Sequence, residues 1–316
     1  MDRLLRRELD AIARDRRSGA AELALRAVTA LQAWVRLHPK PTERQLLEIA
    51  HTLLRTQPAM APFGRLANEL LLAMRKPASS KTLQFVLARS STLLETAGGR
   101  IAARFVNFLH PGLHYSLGTY SYSSTVLKAI AAARKQIPWV LCSEGRPEQE
   151  GRRMAAGIAR LGIEVRFVTD ASLPAYLPFC SLFVVGADAV ASHDFKNKVG
   201  TRALVTRALE KKKPICVLAD TMKFWPRAVS RVGRWAWFGP NLKIWAQPPK
   251  GVTVIEIPFE WTSLSRGVRI LTERGWFTPT GVRRAVEKIL VAPELKQWLL
   301  QSFTIDAPPR NLQLRF

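Results

Sequence analysis

Four short segments carry the residue types that act on a small polar ligand. They read GTYSYSSTV (Gly118 to Val126), SEGRPEQEGRRMA (Ser143 to Ala155), VVGADAV (Val184 to Val190) and NKVGTRAL (Asn197 to Leu204). In the first, Ser121, Ser123 and Ser124 offer hydroxyls just before a helix. The first-turn N–H groups of that helix lack intrahelical partners, so hydroxyls, amides and helix dipole together suit an anion; a plain N-cap serine is the alternative. In the second, Arg146 can hold a phosphate bidentately and Glu144 can accept a sugar's hydroxyl protons; an ordinary surface ion pair is the alternative. Pro147 fits the first turn of the helix that follows. In the third, Asp188 ends an apolar run, where a carboxylate's pKa rises and proton transfer becomes feasible; a helix cap or loop anchor would look the same. In the fourth, Asn197 and Lys198 stand before another helix, with Gly200 and Thr201 in its first turn and the glycine permitting close backbone approach. Together the four imply a small phosphorylated ligand.

Such residues converge only if the elements before them are parallel strands, because an open α/β sheet binds ligands at the carboxyl ends of its strands. After Pro111-Gly112 the sequence alternates accordingly. Apolar strand candidates are Leu113 to Leu117, Trp139 to Cys142, Val165 to Val168, Leu182 to Val185, Ile215 to Leu218 and Val252 to Ile257. Helical stretches at Ser124 to Lys135, Pro147 to Leu161 and Lys198 to Lys212 separate most of them, which predicts a mostly parallel, doubly wound sheet with right-handed crossovers. Before Pro111 the pattern is helical. Leu23, Ala27, Leu31 and Trp34 recur as a buried helical stripe does. HPKPTERQ (His38 to Gln45) ends that helix, and Thr42 with Gln45 forms a capping box for the next. Helices follow over Pro62 to Met74 and Ser79 to Leu109, the second with a possible break at Gly98-Gly99. The expected organisation is a helical N-terminal domain, residues 1–110, and an α/β ligand-binding domain, residues 111–316.

Composition narrows the partners. Lys and Arg total 48 against 24 Asp and Glu, a net charge of +24 that favours anions: phosphorylated metabolites, nucleic acid or an acidic protein. Cys142, Cys180 and Cys216 lie in or beside apolar runs and read as buried thiols, as in a reducing, cytoplasmic setting. No Cys/His spacing fits zinc, so neither metal nor cofactor is expected. The start, MDRLLRRELDAIARDRR, has no apolar core of a signal peptide, and no apolar run nears the roughly 18 residues of a membrane span. Between Thr221 and Lys250, Trp225, Trp235, Trp237 and Trp245 alternate with Lys223, Arg227, Arg231, Arg234, Lys243 and Lys250. Such a stretch suits single-stranded nucleic acid or a subunit interface.

These segments resemble the family holding the alpha, beta and delta subunits of translation initiation factor 2B together with methylthioribose-1-phosphate isomerase and ribose-1,5-bisphosphate isomerase. The resemblance covers most of the chain. RDRRSGAAELALRA (Arg14 to Ala27) is similar to the family's N-terminal segment. SEGRP, GAD and NKVGT are similar to its Glu-x-Arg-Pro, Gly-Ala-Asp and Asn-Lys-Ile-Gly-Thr motifs. DTMKFWP (Asp220 to Pro226) looks more like the factor subunits, while FEWTSL (Phe259 to Leu264) and LTERG (Leu271 to Gly275) resemble the closing elements. The resemblance implies a Rossmann-like second domain, a homodimer or an assembly with related subunits, and a pocket for a sugar phosphate or nucleotide. Carried over by position, Arg17, Gly19, Ser123, Ser124, Arg146, Asn197 and Lys198 would line it, and Asp188 falls where the isomerases have their catalytic acid. The family's dimerisation favours an interface over nucleic acid for the tryptophan-rich stretch.

One departure bears on activity. The isomerases carry a catalytic cysteine two residues after the threonine of the first motif; here Thr119 is followed by Tyr120 and Ser121. A serine hydroxyl is a far weaker acid than a thiol and needs an adjacent base. After Asp188 the loop AVASHDFKNK also lacks the isomerases' Asn-Gly-Asp. Both departures favour a non-catalytic, regulatory binding protein over an aldose–ketose isomerase of a phosphorylated pentose, with Cys142 and His193 as the remaining candidates for proton transfer.

Overall fold

The computed structural model describes residues 1–15, 18–75, 80–226, 244–252, 254 and 257–298. Five helices come first: α1 (Arg3–Arg14), α2 (Ala20–Leu37), α3 (Glu43–Thr56), α4 (Ala61–Met74) and α5 (Ser80–Phe108). The stripe read from the sequence is the inner face of α2, with Leu23, Ala27, Leu31 and Trp34 all buried. Thr42 and Gln45 cap α3 reciprocally, as expected. Gly98-Gly99 does not break α5, which runs 29 residues without interruption. Its later turns lie against α6 (Ser124–Ala132), and Ile101 and Phe105 join the core formed by Val126 and Ile130. That tertiary packing outweighs the weak helix propensity of two glycines.

The α/β region contributes β1 (Leu117–Gly118), β2 (Trp139–Ser143), α7 (Glu150–Ala159), β3 (Glu164–Val168), α8 (Leu173–Tyr176), β4 (Leu182–Gly186), β5 (Ala189–Val190), β6 (Asp194–Lys198), α9 (Thr201–Glu210), β7 (Ile215–Leu218), β8 (Phe259–Ser263), β9 (Val268–Thr272), β10 (Gly275–Phe277) and α10 (Pro279–Glu287). The main sheet has the order β10-β9-β7-β4-β1-β2-β3. All its pairings are parallel except β9 with β10. Successive strands run outward from β1 in one direction and from β4 in the other, so the loops after β1 and β4 part and leave a crevice, the usual ligand position in such sheets. Buried side chains pack both faces of the sheet.

Several boundaries depart from the sequence reading. The first strand is Leu117–Gly118, not Leu113 to Leu117. Helix α7 starts at Glu150, and Arg146 to Gln149 form a turn before it. Asn197 and Lys198 close β6 instead of opening a helix, which begins at Thr201. Of the strand expected over Val252 to Ile257, the described residues are not in a strand and the others lie outside the described residues. The segment after Asp188, expected as a loop, forms an antiparallel sheet of order β5-β6-β8. Among the described residues no helix is long and apolar enough to cross a membrane.

The helical layer packs directly on the α/β region: Ala189, Ala191, Met222 and Trp225 join the helical core, and α5 joins one face of the sheet. The Ala61 amide at the start of α4 donates to the Asp188 carbonyl at 2.9 Å. Trp225, 7% exposed, packs within the helical core and lies so close to Gly64 that a β-carbon there would meet its ring at 2.5 Å. Trp225 is thus a core residue and not part of an open stacking face. Trp235, Trp237, Arg227, Arg231, Arg234 and Lys243 lie outside the described residues. Trp225→Ala should lower stability by roughly 3–5 kcal/mol, as buried aromatic truncations do. Urea denaturation measures it, and a loss below about 1 kcal/mol would contradict this packing.

Candidate functional site

The turn after β1 is held in an uncommon conformation. Ser121 has φ of 65°, and its hydroxyl donates to Glu150 Oε1 at 2.8 Å. Ser123 is the N-cap of α6 and accepts from the Val126 amide at 3.3 Å. It abuts Gly186 at the end of β4 so tightly that a β-carbon there would lie 2.7 Å from the Ser123 hydroxyl. Ser124 lies beside Gly19, the N-cap of α2, where an added β-carbon would be 3.6 Å from its hydroxyl. The start of α2 therefore reaches the end of β1. Arg17 lies outside the described residues.

The turn after β2 is organised by Asp170, which follows β3. Its carboxylate accepts from the Ser143 hydroxyl at 2.7 Å and from the Gly145 and Arg146 amides at 2.9 and 2.7 Å. These bonds hold residues 145–149 out of the helix and explain the late start of α7. Arg146 is exposed. Glu144 lines a separate depression of about 390 Å³ with Phe167, Thr169 and Tyr176 on the β3 side. Arg153 spans the layers: its guanidinium lies 4.0 Å above the Tyr122 ring and 3.9 Å from Glu22 of α2.

The small sheet supplies most of the charge. Lys198 Nζ lies 3.1 Å from Glu150 Oε1, with only 5% of the lysine side chain exposed. Glu150 therefore joins Ser121, α7 and β6, while its Oε2 is buried without a hydrogen-bond partner. Asn197, also buried, donates to the Thr201 hydroxyl at 3.0 Å. Glu260 of β8 accepts from the Gly200 and Arg202 amides, both at 2.8 Å, so a protein carboxylate already fills the N-terminus of α9. Gly200 has φ of 98° and faces the Tyr120 hydroxyl, which donates to the Val199 carbonyl at 2.7 Å.

Asp188 keeps part of its side chain open to solvent. Even so, burial pushes its carboxyl from 3.8 up to about 6 against the pull of Lys223, Lys196 and Lys198; Glu150 adds to the rise. Burial likewise drives Lys196 down to about 8, despite Asp188 nearby. Lys223 is buried next to Asp220, 3.9 Å away. Desolvation favours the neutral form of each group, and opposite charges resist it. The cysteines stand apart. Cys142, Cys180 and Cys216 are buried, and burial raises each thiol to about 12. His193 is exposed between β5 and β6. Among the described residues no group of three His, Cys, Asp or Glu is placed to hold a metal ion.

Ser121, Glu150, Asp188 and Lys198 thus gather at the carboxyl end of the sheet, with the Ser123–Gly186 and Ser124–Gly19 contacts beside them. The sequence singled out neither Glu150 nor Asp170, Lys196 or Glu260, and it named Lys223 only in the tryptophan-rich stretch, as a nucleic-acid or interface residue. DFKNK gave the only hint of Lys196: a charged stretch between apolar strands.

Residues 16–279 match the initiation factor 2 subunit family. The chain belongs to that family. It is 30% identical over 218 residues to a Pyrococcus horikoshii protein described as translation initiation factor eIF-2B subunit 2-like, covering 67% of this chain and 76% of that protein. It is 26% identical over 219 residues to a ribose 1,5-bisphosphate isomerase of Archaeoglobus fulgidus, covering 67% and 69%. The crystal structure of the Pyrococcus horikoshii OT3 translation initiation factor eIF-2B superposes with a TM-score of 0.73 at 25% identity, over 88% of this chain and 98% of that one. The family's relatives of this chain thus include both factor subunits and isomerases, and the fold is the one they share.

The raised Asp188 pKa has a measurable sign. Between about pH 4 and 6 the folded chain holds a proton that the unfolded chain has released, so stability falls as pH rises through that window. Asp188→Asn removes the titration. Its stability relative to the unsubstituted chain should rise from pH 4 to pH 6 in a urea-denaturation series; a flat difference would show that the carboxyl is not held up.

Proposed function

We propose that this protein binds a sugar phosphate or nucleotide at the carboxyl ends of β1, β4 and β6 and acts as a non-catalytic regulatory subunit. The phosphoryl group would lie against the first turn of α6, near Ser124 and Lys198, with Arg146 closing over it and Gly19 beside it at the start of α2. Asn197 sets the start of α9 beneath it, and Glu144 flanks the outer rim. The buried, unpartnered Oε2 of Glu150 supports a hydroxyl-bearing ligand, since such an acceptor is costly to leave unsatisfied. Ligand would act by preferring one assembly state, as a homodimer or with related subunits.

One observation carries the non-catalytic reading: Ser121, at the position of the isomerases' cysteine, has its hydroxyl committed to Glu150. Glu150 is itself neutralised by Lys198, so it is a poor base for activating a serine. Nor does a neighbouring thiol replace the cysteine, because Cys142 is buried with its pKa raised to about 12. The isomerase alternative draws on Asp188, whose pKa near 6 suits an acid/base role close to neutrality.

Calorimetry with ribose 1,5-bisphosphate and methylthioribose 1-phosphate should detect binding of one of them. Lys198→Gln should weaken that binding by about tenfold or more, the scale of one charge-assisted hydrogen bond. A coupled isomerase assay should show no turnover with either compound. Robust turnover that disappears in Asp188→Asn would replace the regulatory reading with the isomerase one.

A further inference from the structure

A second basic recess lies away from the crevice, between α4 and α10. It is a cleft of about 620 Å³ into which Arg65 of α4, Arg274 of the β9–β10 turn, and Arg284 and Lys288 of α10 and its C-cap all project. Glu69 is the one carboxylate in its lining. That carboxylate is engaged, accepting from the Ser90 hydroxyl at 2.9 Å and from Arg65 Nη2 at 3.4 Å. Arg274 Nε sits 3.5 Å from Glu273, whose side chain is almost wholly buried. Cations therefore outnumber anions around the opening.

Arg65 is the unusual member. Only 17% of its side chain is exposed, and its Nε is buried with no hydrogen-bond partner among the described residues. Burial, with Arg274 and Arg89 nearby, makes its charge less favourable than in water, and Glu69 offsets this only in part. An unsatisfied buried guanidinium donor beside like charges is a poor arrangement unless an anion completes it. Arg284 and Lys288, four residues apart on one helix face, repel in the same way. Lys288 at the C-cap has a local excuse, since the helix dipole favours a cation there; Arg65, inside α4, has none.

The lining also holds apolar side chains, Leu72, Phe277 and Leu290, the last 76% exposed. The Asn68 side chain donates to the Leu290 carbonyl and accepts from the Ala292 amide, both at 2.9 Å, pinning the segment after α10 onto α4. A lining that sets four cations beside apolar side chains matches an anion with a flat apolar part. We infer that this cleft is a second ligand site, taking a nucleotide-sized organic phosphate with its phosphates on Arg65, Arg274, Arg284 and Lys288 and its base against Leu290 and Phe277.

Calorimetric titration of the full chain with ADP at low salt tests this. The double substitution Arg284→Glu with Lys288→Glu alters exposed positions and should preserve the fold; it should weaken ADP binding by at least about tenfold. Arg65→Met should do the same, while Arg146→Gln, at an exposed position of the crevice, should leave this binding in place. Inorganic pyrophosphate should displace bound ADP. Undiminished ADP binding in the charge-reversed chain, loss of binding in Arg146→Gln, or no ADP binding at millimolar concentration would overturn the assignment.

Discussion

Glu150 stands in the first turn of α7 and receives two donors from distant parts of the chain, the Lys198 amine at 3.1 Å and the Ser121 hydroxyl at 2.8 Å. Both ions are largely withdrawn from water, so each depends on the other. Removing one partner of such a pair leaves an uncompensated buried charge, at a cost of about 3–5 kcal/mol. The pairing fixes the turn after β1, the start of α7 and the end of β6 against one another. The left-handed backbone at Ser121 belongs to the same arrangement, because it turns the hydroxyl toward Glu150. Pre-organisation of this kind lets a ligand meet groups that are already ordered.

The charges behind that pair are as tightly constrained. Lys196, Lys198 and Lys223 are each at most 4% exposed, although a lysine is rarely so buried without a partner. Asp188, Glu150 and Asp220 supply counter-charge, yet Asp188 and Lys196 are both displaced toward their neutral forms. The region thus stores a proton-sensitive balance that an incoming phosphoryl group would tip toward fully charged lysines. Here the excess of basic residues in the composition becomes local: much of it decorates the surface, but a few members are pressed into the interior where one anion has a large effect.

The sequence made β2, β3, β4 and β7 legible because they are short apolar runs separated by amphipathic helices, whereas β9 and β10 were not read as strands and the strand order was not read at all. The small sheet was hidden for a physical reason. β6 reads Asp-Phe-Lys-Asn-Lys and is buried throughout, so hydrophobic patterning, which detects strands by their apolar side, reports a loop. The start of α7 was misplaced because Pro147 looks like a first-turn residue, while the bonds that prevent it come from Asp170, more than twenty residues away. Ser121, Asp188 and Lys198 were identifiable because they stand at strand ends. Glu150 was not, since an acidic residue in a first helical turn is also what the helix dipole favours everywhere. Cys142, read from its apolar run as a packing thiol, is buried.

Glu260 gives the site an asymmetry with its own consequence. The carboxylate sits across the N-terminal amides of α9, and its strand β8 is zipped to β6 along five paired residues. The two helix starts here are therefore not equivalent: one, at α6, is capped by a neutral hydroxyl, and the other is stoppered by a tethered anion. A guest with charge at one end would be steered into a single orientation, and one charged at both ends would have to dislodge the stopper. The two ends of the crevice are thus electrostatically unlike before any guest arrives.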